Sequence, residues 1–210
     1  SVGIWGLNLS NANSEIFTNN PTGVININRT NEYGIESYDL AQILNKGIIT
    51  IGEIVPLTDL IHQASINNLP GGILKGTGKI TGSAFGTGLG DNGGTLSPGY
   101  SPGTMTFTQS QTFSSGIIDI EILAGTPVTF DKIIVNGTAT LGGTLNITET
   151  GSVATGSYII FSATSISGTF ATVNIPDCYT LEYGATTVSL KKGVSKIWDG
   201  TVNNWNQPNH

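Results

Sequence analysis

Residues 47–51 read Gly47-Ile48-Ile49-Thr50-Ile51, and residues 116–120 read Gly116-Ile117-Ile118-Asp119-Ile120. Each is a glycine followed by a short run rich in β-branched residues, the pattern of a strand entered through a tight corner. The unit recurs as Gly23-Val24-Ile25-Asn26-Ile27, Gly72-Ile73-Leu74, Gly94-Thr95-Leu96, Gly143-Thr144-Leu145-Asn146-Ile147 and Gly168-Thr169-Phe170. Successive copies lie 24, 25, 22, 22, 27 and 25 residues apart, a period that belongs to solenoids and arrays. One solenoid turn needs two or three strands of ~4–6 residues and the bends between them. The reading is therefore all-β: a single right-handed parallel β-helix, with loop or short helical excursions near residues 32–66. Alternate residues of each strand point inward and stack on the next turn. Val24, Ile48, Ile73, Leu96, Ile117, Leu145 and Phe170 are the expected inward ladder, give or take a residue, with the preceding glycines at the corners. Eight or nine turns at ~4.8 Å give a rod on the order of 40 Å long.

Composition agrees. The chain has 210 residues, 29 of them glycine; only 10% are charged, and the net charge is -6. The sequence pI is about 4.7 and the mean hydropathy +0.09. So little charge excludes a disordered polyelectrolyte, and the scarcity of Ala, Glu, Lys and Arg excludes a helical bundle. Eight basic residues on an acidic background argue against nucleic acid, since counterion release needs clustered Lys and Arg. No apolar run is long enough for a membrane-spanning helix. The lone Cys178 excludes an internal disulfide framework and is expected to be a buried small hydrophobe. The four sequons, at Asn8, Asn28, Asn136 and Asn146, are what chance gives in a chain so rich in Asn and Thr.

The repeat is least regular near the start. Thr58-Asp59-Leu60-Ile61-His62-Gln63-Ala64 reads as a short helix capped by Thr58 or Asp59, and Tyr38 to Leu44 as a weaker one. Residues 1–92 are expected to hold the N-terminal coils and excursions, 93–192 the better-specified coils and cap, and 193–210 a linker or the start of a following module. Starting at Ser1, the chain is expected to be a mature or excised piece of a longer protein.

The most specific stretch is Gly94-Thr95-Leu96-Ser97-Pro98-Gly99-Tyr100-Ser101-Pro102-Gly103. Two Pro-Gly pairs four residues apart imply paired type II-like turns. With Ile120-Glu121-Ile122, Phe130-Asp131-Lys132-Ile133-Ile134-Val135, Leu141-Gly142-Gly143-Thr144-Leu145, Gly156 to Phe161 and Ser167 to Phe170, this resembles the β-helix passengers of autotransporters and related adhesins with autotransporter-associated strand repeats. The resemblance covers about residues 70–190. It implies a non-enzymatic structural or adhesive segment of a large bacterial surface protein, extracellular or on the outer cell surface. The partners it implies are host or environmental glycans or surface proteins and the adjoining modules of a longer chain. Lys196 to Asn209, with Trp198 and Trp205, looks like the opening of such a module.

No residue is assigned a catalytic, cofactor-binding or metal-ligating role, and no cofactor is expected. Asp119 and Glu121 share one face of a strand, where a glycosidase or lyase keeps its carboxylates. Inward-pointing Ile118, Ile120 and Ile122 make ordinary packing the simpler reading. His62 and His210 lack the partners of a triad or metal site. Gly86 to Gly94 resembles one copy of a calcium-binding nonapeptide, a motif that works in tandem. Thr104, Thr106 and Thr108 alternate on one face, but ice or sugar binding needs an array rather than a single strand. Tyr100, Tyr179 and Tyr183 offer rings for stacking on sugars. Two alternatives to the structural reading stand: a carbohydrate-active enzyme, marked by carboxylates and lysine in one groove, and a glycan- or ice-binding module.

Overall fold

A computed structural model of the chain describes residues 7–9, 16–27, 33–37, 42–52, 59–62, 65–81, 93–100 and 102–194. All regular structure among them is β. In chain order the first strands are Leu7–Leu9 (β1), Ile16–Asn19 (β2), Val24–Ile27 (β3), Tyr33–Ser37 (β4), Gln42–Asn45 (β5), Ile48–Ile51 (β6), Asp59–His62 (β7), Ser65–Asn68 (β8), Ile73–Gly76 (β9) and Gly78–Thr81 (β10). Then come Thr95–Pro98 (β11), Thr104–Phe107 (β12), Gln111–Phe113 (β13), Ile117–Leu123 (β14), Thr129–Phe130 (β15), Lys132–Leu141 (β16) and Thr144–Thr150 (β17). Gly156–Ser167 (β18), Thr172–Asn174 (β19), Tyr179–Tyr183 (β20) and Thr187–Lys192 (β21) complete the series.

These strands make a parallel β-solenoid. One face stacks β3, β6, β9, β11, β14, β17 and β19, and a second stacks β1, β4, β7, β10, β12, β16 and β18. A third face stacks β2, β5 and β8. From β13 onward this side is carried on by the second face, where Gln111–Phe113 pairs with Ala139–Leu141. Among the described residues the first face has seven rungs, against the eight or nine turns expected of the whole chain, and spans about 29 Å at the usual strand spacing. Beyond β18 the pattern changes: β21 and β20 add antiparallel. That hairpin occupies an edge which would otherwise offer unpaired peptides to another chain.

Register corrects the expected ladder. Val24, Ile48, Ile73, Thr95, Ile117, Thr144 and Thr172 align in one row, and this row faces outward, with Val24 59% exposed. The inward row is one residue later: Ile49, Leu74, Leu96, Ile118 and Leu145 are buried. Leu96 and Leu145 hold the expected inward places, whereas Val24, Ile48, Ile73 and Ile117 are out of phase. A slip of one residue moves a strand's whole apolar set to the other face. Phe170, before β19, is buried in the aromatic packing of the core, 6.5 Å from Phe161 between ring centroids.

Both expected helices are corrected as well. Asp59–His62 is a strand between β4 and β10, with Ile61 opposite Ile35 and Ile80. Gln42–Asn45 is a strand in which Ile43 stacks between Phe17 and Ile66; residues 38–41 lie outside the described residues. Weak helical propensity yields here to in-register strand pairing; Thr58, Gln63 and Ala64 lie outside the described residues.

A buried asparagine ladder holds the corner between the third and first faces. Asn19 Nδ2 donates to Asn45 Oδ1 at 2.8 Å, and Asn45 Nδ2 donates to Asn68 Oδ1 at 2.8 Å. Asn45 Nδ2 also reaches the Ile73 carbonyl at 3.1 Å, and Asn68 Nδ2 the Thr95 carbonyl at 2.8 Å. The amides satisfy backbone carbonyls that the corner removes from the ladder. This explains the corner glycines: a Cβ on Gly72 would lie 2.3 Å from the Asn45 carbonyl oxygen and 2.8 Å from Asn68 Oδ1. Close approach, rather than positive φ, is what Gly47, Gly72 and Gly94 provide.

Candidate functional site

The first face carries a groove of about 500 Å³ near its middle. Its floor is built by register. Lys75 aligns with Ser97, and Asp119 with Asn146 and Asn174. All project outward, because Leu74, Leu96, Ile118 and Leu145 take the alternating inward positions. Asn146 Nδ2 donates to Asp119 Oδ1 at 2.8 Å, and Asn174 Nδ2 donates to Asn146 Oδ1 at 2.8 Å. Glu121 lies two residues along from Asp119, opposite Thr148. Tyr100, 74% exposed, is part of the lining.

The Pro-Gly stretch forms one wall. β11 ends at buried Pro98, and Gly99 turns with φ +89°, as the third position of a type II turn requires. Gly103 has no positive φ, so the second Pro-Gly pair is not a second such turn. It is glycine for space: a Cβ there would sit 2.0 Å from Thr77 Oγ1 and 2.5 Å from Gly99 Cα.

Because β11 turns away, β14 runs on without a parallel neighbour on that side. The edge is closed by β15, paired antiparallel with Ile122 and Leu123, and by Asp131. This carboxylate is 3% exposed. Its Oδ2 accepts the Glu121 amide at 2.9 Å and its Oδ1 accepts the Gly103 amide at 2.8 Å. Burial pushes its pKa up to about 6 against the opposing pull of the two amides. Sequence reading sees the Asp-containing strand but gives Asp131 no role; the signal is a lone carboxylate just after the apolar residues Val128 and Phe130.

The groove thus brings Asp119, Glu121 and Asp131 together with Lys75. Among the described residues, no group of three or more His, Cys, Asp and Glu is placed to hold a metal ion. His62 lies on β7. His210, Trp198, Trp205 and the segment 82–92, with most of the Gly-rich calcium-like stretch, lie outside the described residues. Tyr179 is 5% exposed and cannot stack on a ligand, whereas Tyr183 is 37% exposed. Cys178 is exposed, not buried, and has φ +68° in the turn before β20.

Thr104 and Thr106 do not belong to a threonine array: they align with Lys132 and Ile134, and Thr106 also with Lys79. A hydroxyl grid lies elsewhere. Thr112, Thr140 and Ser167 align across three rungs, and beside them Thr138 Oγ1 and Ser165 Oγ are 2.9 Å apart. Sequence reading misses it, because Ser165 and Ser167 stand where the preceding rung has Thr138 and Thr140, and the spacing is 27–28 residues.

No family model matches this chain, and no curated protein matches it significantly.

Proposed function

We propose that the chain is a non-enzymatic structural and adhesive segment of a secreted or cell-surface bacterial protein, one that spaces or presents a binding surface. The observation that carries this reading is how the groove carboxylates are engaged. Asp131 has its pKa raised toward the range of a general acid, yet it is buried and bound by two backbone amides. Asp119 is tied to Asn146. Asp131 serves the edge of β14, and Asp119 is held by the neighbouring rung. Stability by repetition, without a disulfide, also suits a spacer. The resemblance of residues 70–190 to autotransporter-type passengers supports the extracellular placement.

A carbohydrate-active enzyme is the second reading, favoured by the meeting of three carboxylates and Lys75 in one groove. A lyase acting on anionic sugars fits poorly, because carboxylates outnumber the single lining lysine. An ice-binding surface is disfavoured by the small size of the hydroxyl grid.

Labelling of intact source cells with antibody raised to this domain tests the placement. Labelling without permeabilisation is expected; labelling only after lysis overturns it.

A further inference from the structure

The groove has a charge and a hydrogen-bonding character that select among adhesive partners. Asp119, Glu121 and Asp131 line it, with Lys75 as the one lining cation among the described residues. The Glu121 side chain has no hydrogen-bond or ion-pair partner among the described residues. Asp119 spends one oxygen on Asn146 and keeps the other. Unspent acceptors and net negative charge favour a cationic ligand and repel anionic ones. The remaining lining, Ser97, Thr148 and the amides of Asn146 and Asn174, pairs with hydroxyls. Exposed Tyr100 adds an aromatic ring of the kind that stacks on an apolar sugar face. Ser97, Asp119, Asn146 and Asn174 lie on four successive rungs, so polar groups recur every ~4.8 Å across the strands. This suits an extended repeating ligand.

We propose that the groove binds a glycan bearing free amines, an oligomer of 2-amino-2-deoxy sugars, with Asp119 and Glu121 receiving the ammonium groups. The proposal deepens the adhesive reading above and rests on it.

The test is calorimetric titration of the domain with a glucosamine hexamer, its fully N-acetylated form, a galacturonate hexamer and hexalysine. The glucosamine oligomer is expected to bind, more weakly as salt rises. The N-acetylated form is expected to bind at least roughly tenfold more weakly, and the galacturonate oligomer not at all. Glu121→Gln and Asp119→Asn should each weaken binding by about tenfold, the size of a lost charge-assisted hydrogen bond. Tyr100→Ala should also weaken it, while Lys191→Ala, on the terminal hairpin, should leave it unchanged. No binding of the glucosamine oligomer, equal binding of its N-acetylated form, or insensitivity to Glu121→Gln and Asp119→Asn overturns the proposal. So does hexalysine binding as tightly as the sugar, which would make the groove a basic-peptide site. Any of these leaves the structural reading standing. Cleavage of the oligomer, read by mass spectrometry of the same samples, would instead remove the non-enzymatic reading.

Discussion

Asp131 Oδ2 accepts the Glu121 backbone amide at 2.9 Å, occupying the place of the neighbouring strand that turned away at Pro98 and Gly99. A side chain here completes a β-ladder, and the same carboxylate holds the returning chain through Gly103.

This arrangement sets a pH dependence. The folded state binds the Asp131 proton more tightly than the unfolded chain does, since its pKa rises from 3.8 to about 6. The contribution is therefore fully present below pH 4 and is lost as pH rises through 6, by about 3 kcal/mol in all. The amide side chain introduced by Asp131→Asn offers one acceptor to two amide donors and leaves one buried N–H unpaired, at a cost of about 1–3 kcal/mol. Urea unfolding of wild type and Asp131→Asn at pH 4 and pH 7 checks both points. The wild-type advantage is expected to be larger at pH 4; an equal advantage at both contradicts the assignment.

The asparagine ladder makes Asn45 a strong structural position. It is fully buried and links Asn19, Asn68 and the Ile73 carbonyl. Asn45→Leu is expected to lose about 2–4 kcal/mol, because three polar groups lose a partner together. Thermal unfolding measures it; a change below about 1 kcal/mol would mean that the ladder is dispensable.

At the other end, Glu149 on β17 pairs with Lys192 on β21 and accepts the Val153 amide. Burial raises the carboxyl's pKa, but the lysine and the amide outweigh it and hold it below the ordinary value. Its contribution is present at neutral pH and fades as pH falls through that lowered value. Glu149→Gln is expected to loosen the β20–β21 hairpin, giving faster amide exchange there at neutral pH and little difference from wild type in acid. Unchanged exchange at neutral pH would contradict this.

Cys178 holds φ +68° with its thiol exposed. Such a conformation costs an L-residue ~1–2 kcal/mol that glycine avoids. Cys178→Gly is expected to raise stability slightly or leave it unchanged, and Cys178→Val to lower it. Rapid labelling of the native thiol checks the exposure.

The period and the corner glycines make the solenoid legible in the sequence, since backbone crowding at Gly72 or Gly94 admits nothing larger. Phase is legible only where a polar residue marks it. Thr95-Leu96 and Thr144-Leu145 show which residue points in, as Asp119 and Glu121 do for Ile118, whereas Ile48-Ile49 looks alike from either side. The helix reading of Thr58 to Ala64 fails because the partners of Ile61 are Ile35 and Ile80, residues that local propensity does not see. Asp119 and Glu121 are visible as a same-face pair. Their meeting with Asp131 and Lys75 is not, because it depends on where β11 ends relative to β14.

The central claim is that these carboxylates shape and charge a groove without turning over a substrate. Its most direct test is a prolonged end-group assay of the purified domain on amino, N-acetylated, neutral and anionic polysaccharides. No new chain ends above buffer are expected. Sustained release of ends by the wild type, abolished by Glu121→Gln or Asp119→Asn in folded protein, would contradict the account.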